Sequence, residues 1–321
     1  MSPPLRPNIL DTWLSGSLMP RTGSGELEVL LEGSLRHLAR MGVTIPANCR
    51  QKRALALLRR INRPDGALKP DDPAFLRRVE SSWRTTWETI LITHAAFERR
   101  RQRAKTPFTN RQLRRMLGGD ELGDTPSATA ARDTQFELFV AALFAHTPVD
   151  VLAGEPDIRV SLGPERIGIA AKRIRSLKPQ RIAERVEKAI EQIRRSGLRG
   201  MLAINLDARL EGAQLPPMAE ERVTLFVEKL DIILDYLKPC VEDPNVLGVM
   251  VFAQCARWVF PEAGEARTPE LDAALPMRWL TWDDDPVMRM LLDNYQRCWK
   301  EAVQRNVAEI VESVRRAARR L

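Results

Sequence analysis

Residues 132 to 174 read RDTQFELFVAALFAHTPVDVLAGEPDIRVSLGPERIGIAAKRI, and the order of elements in this stretch decides the fold. Phe136, Phe139, Val140, Leu143 and Phe144 recur at helical spacing and form one apolar stripe. Glu137 sits at its edge. A short strand, 149 to 152, precedes Pro156 and Asp157, and Ile158, Val160 and Leu162 then alternate with Arg159 and Ser161 in a period of two. Gly163 and Pro164 turn the chain into a second alternating run, 166 to 174. Ile167, Ile169 and Ala171 share one face of that run, while Gly168, Ala170 and Lys172 share the other. Lys172 therefore ends a strand on a face of very small residues, which is expected to leave room for a substrate or for a metal with its waters.

This order of helix, three antiparallel strands, helix and strand resembles the PD-(D/E)xK nuclease superfamily, the restriction-endonuclease-like fold. The resemblance rests on Pro156-Asp157 at the start of the second strand, on Lys172 in the third and on Glu137 in the first helix. It implies an α/β class, with a mixed sheet flanked by helices. It also implies a metal-dependent nuclease that hydrolyses phosphodiester bonds in DNA, in restriction, repair, mobile-element or phage-defence settings. The implied catalytic residues are Glu137, Asp157 and Lys172. Asp157, Glu137 and the backbone carbonyl of Ala171 would hold Mg²⁺ or Mn²⁺, hard cations that take oxygen ligands. The cation would stabilise charge on the phosphate while Lys172 orients the attacking water.

One position departs from the family pattern. Ala170 stands where the second acidic residue belongs. A carboxylate on the following helix could substitute for it; there Glu187 lies on a flank, whereas Glu184 and Glu191 fall almost opposite the apolar face. Glu155 is a weaker choice, as it precedes the strand. The alternative function is a catalytically silent nucleic-acid-binding or scaffold protein on the same fold, and a further one is a helical interaction protein with an acidic partner. Taken singly, Asp157 reads as a turn residue and Lys172 as a solvated strand-end charge. Pro-Asp alone is uninformative, because Pro64-Asp65 and Pro70-Asp71 occur in an evident loop.

Around this centre, residues 1 to 25 are rich in Pro, Gly and Ser and are expected to form a loose arm, and 26 to 117 a helical N-terminal domain. In that domain Trp83 and Trp87 fall in a helical apolar pattern and read as packing residues. Residues 118 to 127 read as a linker, 128 to 262 as the nuclease-like domain and 263 to 321 as a C-terminal helical extension with a long terminal helix from 286. In the helix from 178 to 195, Ile182, Val186, Ala189, Ile190 and Ile193 define the buried face, and Gly197 caps its end. Residues 200 to 207 and 246 to 254 supply a fourth and a fifth strand, with a helix at 221 to 237 between them. Asp283, Asp284 and Asp285 before Pro286 suit a helix cap better than a metal.

The chain of 321 residues carries a formal net charge of +8, which suits a polyanionic partner, nucleic acid in the first place. Arg99, Arg100, Arg101, Arg103, Lys105, Arg111, Arg114 and Arg115 form a block with few acids between Glu98 and Asp120, and Arg173 and Arg175 flank the centre. All ten are candidate phosphate contacts. Many enzymes of the resembled fold dimerise to cut both strands, so a homodimer is the implied assembly. Cys49, Cys240, Cys255 and Cys298 have no metal-ligand spacing, which points to free thiols in a reducing, cytoplasmic setting. No run is apolar enough to span a membrane, and the N-terminus lacks a signal-peptide core. No P-loop, dinucleotide glycine fingerprint, repeat or paired-cysteine zinc motif is present.

Overall fold

The computed structural model describes residues 8–10, 22–63, 72–104, 106–118, 126–145, 150–176, 178–206, 224–225, 228, 230, 232–253, 255–259, 270–274, 277–281 and 285–294. In chain order the elements are β1 (Asn8–Leu10), β2 (Thr22–Gly23), α1 (Ser24–Arg40), α2 (Arg50–Ile61), α3 (Pro73–Arg101), α4 (Asn110–Met116) and α5 (Pro126–Ala145). There follow β3 (Asp150–Ala153), β4 (Ile158–Leu162), β5 (Glu165–Arg173), α6 (Pro179–Ser196), β6 (Arg199–Asn205), α7 (Lys238–Glu242), β7 (Val246–Phe252), β8 (Cys255–Val259), β9 (Glu270–Ala274), β10 (Met277–Thr281) and α8 (Pro286–Asn294). The fold is α/β with a mixed open sheet. Two compact units divide it, one of Leu18–His146, Ala256–Ala273 and Glu301–Leu321, the other of Met1–Ser17, Thr147–Cys255 and Ala274–Lys300.

The first unit holds α1 to α5 and a three-stranded sheet in the order β2-β9-β8. Asp72 caps α3 by accepting the Ala74 N–H at 2.9 Å, and Pro73 occupies the first turn, where its missing N–H costs nothing. Trp83 and Trp87 are buried on α3, as their spacing predicts. The interior also carries a polar seam. Arg50 donates to the Gln135 side chain and to the Met116 carbonyl, and Gln51 donates to the same two groups. Gln135 in turn donates to Glu88, so α2, α3, α4 and α5 are tied by side chains that would be costly to bury unpaired.

The second unit is built on a seven-stranded sheet, in the order β1-β10-β7-β6-β5-β4-β3. β3, β4 and β5 pair antiparallel, β5, β6 and β7 pair parallel, and β10 and β1 add antiparallel strands at the far edge. The parallel step from β5 to β6 requires a crossover, which α6 supplies. Its buried face is Ile182, Val186, Ala189, Ile190 and Ile193, the residues its periodicity predicts. These pack on Ala170, Leu202, Ile204, Val249 and Val251 in one apolar cluster. Each large aliphatic chain so buried contributes about 1.5–3 kcal/mol. Gly197 ends α6 at φ 67, a left-handed conformation that glycine adopts without strain.

Three expectations need correction. Asn8 to Leu10, placed in a loose arm, pair with Thr281, Leu280 and Trp279 as the edge strand β1. Residues 270 to 274 and 277 to 281, placed in a helical extension, form β9 and β10. Trp279 and Leu280 are both buried, so β10 packs on both faces and lacks the alternation by which a strand is recognised. The helix 126 to 145, placed at the head of the nuclease-like domain, is grouped with the helical unit. Residues beyond Asn294, including Arg315, Arg316, Arg319 and Arg320, lie outside the described residues. Among the described residues no helix is long and apolar enough to cross a membrane.

Candidate active site

The site forms where β4 starts later than β5 ends. Ile158 pairs with Ile169, so the ladder between the two strands has run out at Ala171. Asp157 makes the last main-chain bond, donating its N–H to Ile169 O at 3.3 Å, and its carboxylate then takes over from the missing strand. Oδ2 accepts the Ala171 N–H at 2.9 Å. The same oxygen accepts the Lys172 ammonium at 3.0 Å, and that ammonium also donates to the Ala171 carbonyl at 3.2 Å. Oδ1 accepts from Gln192 Nε2 of α6 at 3.3 Å. The side chains of Asp157 and Lys172 are 14% and 13% exposed, enough shielding to strengthen the pair beyond a surface ion pair while leaving it reachable.

Asp157, Lys172 and the Ala171 carbonyl, picked out from the sequence, therefore converge within hydrogen-bond distance of one another. Gln192 was not foreseen. Its signal is a long polar side chain on the flank of the α6 stripe, one turn from Ala189. Its amide oxygen is buried and has no hydrogen-bond partner among the described residues, which is costly unless a ligand or water takes it up. Lys172 and Gln192 open onto a cavity of about 780 Å³, whose lining includes Arg185, Lys188, Glu187 and Glu191.

The small-residue face carries a different meaning from the one its composition suggests. A Cβ on Gly168 would stand 2.6 Å from Pro156 Cδ, so glycine there admits the proline ring rather than a ligand. Ala170 is 0% exposed and belongs to the apolar cluster under α6. The position of the expected second carboxylate is thus core, and the room for a ligand lies past Lys172, toward α6.

No protein-family model, curated protein or solved structure matches the chain.

The other candidates separate by environment. Glu137 is half-buried on α5, in the helical unit, whereas Asp157 and Lys172 lie in the sheet unit. Glu187 and Glu191 are exposed and both line the cavity beside Lys172, so Glu191 does not point away from it as its wheel position suggests. Glu184 pairs with Arg181 at 3.0 Å, and Glu155 with Arg195 at 3.6 Å. In the basic block Arg99 is 8% exposed, and Arg100 is spent on the Met41 carbonyl at 2.9 Å and on Asn110. Arg101 pairs with Glu98, and Arg103, Arg111, Arg114 and Arg115 are exposed. Lys105 lies outside the described residues. Arg173 and Arg175 are half-buried at the end of β5 and just beyond it. Asn205, at the end of β6, is buried, and Asp285 caps α8 by accepting the Val287 N–H at 2.9 Å.

Among the described residues no group of three or more His, Cys, Asp and Glu side chains could hold a metal. The donors present are nonetheless all oxygen: the Asp157 carboxylate, the Ala171 carbonyl and the partnerless Gln192 amide oxygen. Hard divalent cations such as Mg²⁺ or Mn²⁺ use such donors, together with retained waters. One carboxylate against two positive charges makes this a weak protein site, which a substrate phosphate would complete.

Proposed function

We propose that the chain is a divalent-metal-dependent nuclease that hydrolyses phosphodiester bonds, in DNA in the first place, on a restriction-endonuclease-like sheet. The observation that carries this is the convergence of Asp157, Lys172 and the Ala171 carbonyl at one strand end. The order of strands supports it as well, since three antiparallel strands lead through α6 into a parallel fourth.

Asp157, the Ala171 carbonyl and Gln192 would hold Mg²⁺ or Mn²⁺. When bound, the cation supplies Lewis-acid stabilisation of the charge that develops on the phosphate. Lys172 does the rest of the positioning. Its ammonium is aimed by two protein oxygens and keeps further donor capacity for a water or a phosphate oxygen on the cavity side. Asp157 holds that ammonium in place and, through the Ala171 N–H, fixes the strand end on which both sit.

A second reading has an observation of its own. Both Asp157 oxygens already accept hydrogen bonds, from Ala171, Lys172 and Gln192, and Ala170 is sealed in the core. A self-satisfied site of this kind suits a silent nucleic-acid-binding scaffold. Cleavage of single- and double-stranded DNA and RNA by the full chain, with Mg²⁺ or Mn²⁺, separates the two. Metal-dependent cutting that falls by about 100-fold or more in Asp157→Ala and in Lys172→Ala is the expected result. An inert wild-type chain that still binds nucleic acid establishes the scaffold instead. Gln192→Glu is the variant suited to restoring charge, because it adds a carboxylate beside Asp157, whereas Ala170→Glu would bury one in the apolar cluster.

A further inference from the structure

Two cavities flank α6 and share the same two cations. The larger, about 780 Å³, contains Lys172 and Gln192, and the smaller, about 410 Å³, contains Arg175, Lys178 and Arg181; Arg185 and Lys188 line both. On α6, Arg181, Arg185 and Lys188 follow one another by four and three residues, which keeps them within a sector of about 60°. At about 1.5 Å rise per residue they span about 10 Å. That length matches about three nucleotide steps of one strand, at about 3.4 Å per nucleotide along the axis.

The charges along this line are available. Arg185 and Lys188 form no ion pair or hydrogen bond among the described residues. Arg181 is held by Glu184, but with side chains 68% and 38% exposed that pair is worth little and yields readily to a phosphate. Of the two carboxylates on the same cavity wall, Glu191 is partly neutralised, lying 3.9 Å from Arg194 and 3.7 Å from Arg195, while Glu187 is exposed. Among the described residues neither cavity is lined by a Phe, Tyr or Trp. Without a stacking platform for bases, the recognisable part of a nucleic acid here is its backbone.

We infer that Arg181, Arg185 and Lys188 form a phosphate track, which grips one strand of a nucleic acid without regard to sequence and lays it along α6 toward Lys172. This rests on the proposed action on nucleic acid and adds which surface holds the substrate.

Fluorescence anisotropy of the full chain with labelled mixed-sequence DNA, as duplex and as single strand over a KCl series without divalent metal, tests it. Arg185→Ala with Lys188→Ala is expected to weaken binding by about 10-fold or more near 0.1 M salt. It should also reduce the slope of log affinity against log salt by about 2 on duplex and slightly less on single strand. Arg114→Ala with Arg115→Ala should leave both nearly unchanged. Retained affinity and slope in the α6 variant, in a wild-type chain that does bind, overturns the track while leaving the nucleic-acid function standing. Binding of poly-glutamate with equal affinity and equal loss in the α6 variant overturns it in favour of an acidic protein partner. A wild-type chain that binds no nucleic acid overturns both the track and the function beneath it.

Discussion

Arg100 of the helical unit and Arg185 of α6 look alike in the sequence and sit in opposite surroundings. At the end of α3 the cations are dense, yet Arg99 is buried and Arg100 ties the chain at Met41 to the start of α4 at Asn110. On α6 the cations are diluted by glutamates, yet Arg185 and Lys188 line cavities and form no ion pair among the described residues. Charge density along a chain reports how many cations there are. Whether they are free for a ligand depends on which acceptors the fold brings to them, and that is set by tertiary contact.

Stability measurements sharpen this contrast. Arg100→Ala removes charge-assisted hydrogen bonds to Met41 and Asn110 and is expected to cost about 2 kcal/mol, read as a lowered urea midpoint at unchanged slope. Arg199 lies between the two extremes, as a half-exposed cation with a shielded partner in Asp285. Burial pushes the Asp285 carboxyl up, but the bond from Arg199 and the N–H groups of Val287 and Met288 outweigh this and hold it below the ordinary carboxylate value. A carboxyl depressed in the folded state stabilises above its unfolded value and loses that contribution as pH falls through the folded one. Asp285→Asn keeps a capping oxygen and removes only the charge facing Arg199, so it should cost about 0.5–1 kcal/mol near neutrality, with the gap from wild type closing below about pH 4. Arg185→Ala should move the midpoint by no more than about 0.5 kcal/mol, since nothing in the fold depends on its charge. A loss there comparable to that of Arg100→Ala would erase the contrast.

The smallest effect concerns the surroundings of another arginine, Arg194, whose Nε donates to the buried Asp243 at 2.6 Å. Burial, with Asp243 adding to it, pushes the neighbouring Cys240 thiol up to about 12. Cys240 should remain unmodified by a thiol reagent at pH 8 until the protein unfolds. Mass spectrometry of the native and urea-treated protein checks this.

The central strands and α6 were legible because their burial is one-sided or complete in a way that periodicity registers: β7 is buried throughout, and α6 shows one clean stripe. The meeting of Asp157 and Lys172 was legible because one residue precedes an alternating strand and the other ends the next. What escaped was settled by partners distant in the chain. β1 acquires its strand form only by pairing with β10, more than two hundred and fifty residues away. Gln192 reaches Asp157 only because the crossover lays α6 over the end of β5. The small residues Gly168 and Ala170, read as room for a ligand, instead admit Pro156 in one case and α6 in the other.

The most direct test of the proposed site is Mn²⁺ binding, followed by electron paramagnetic resonance on the full chain with a non-cleavable phosphorothioate oligonucleotide present. Wild type should bind one Mn²⁺ in the presence of the oligonucleotide, with affinity lost in Asp157→Asn and raised in Gln192→Glu. Mn²⁺ binding that is absent, or that is indifferent to both substitutions, would contradict a metal-dependent site at Asp157.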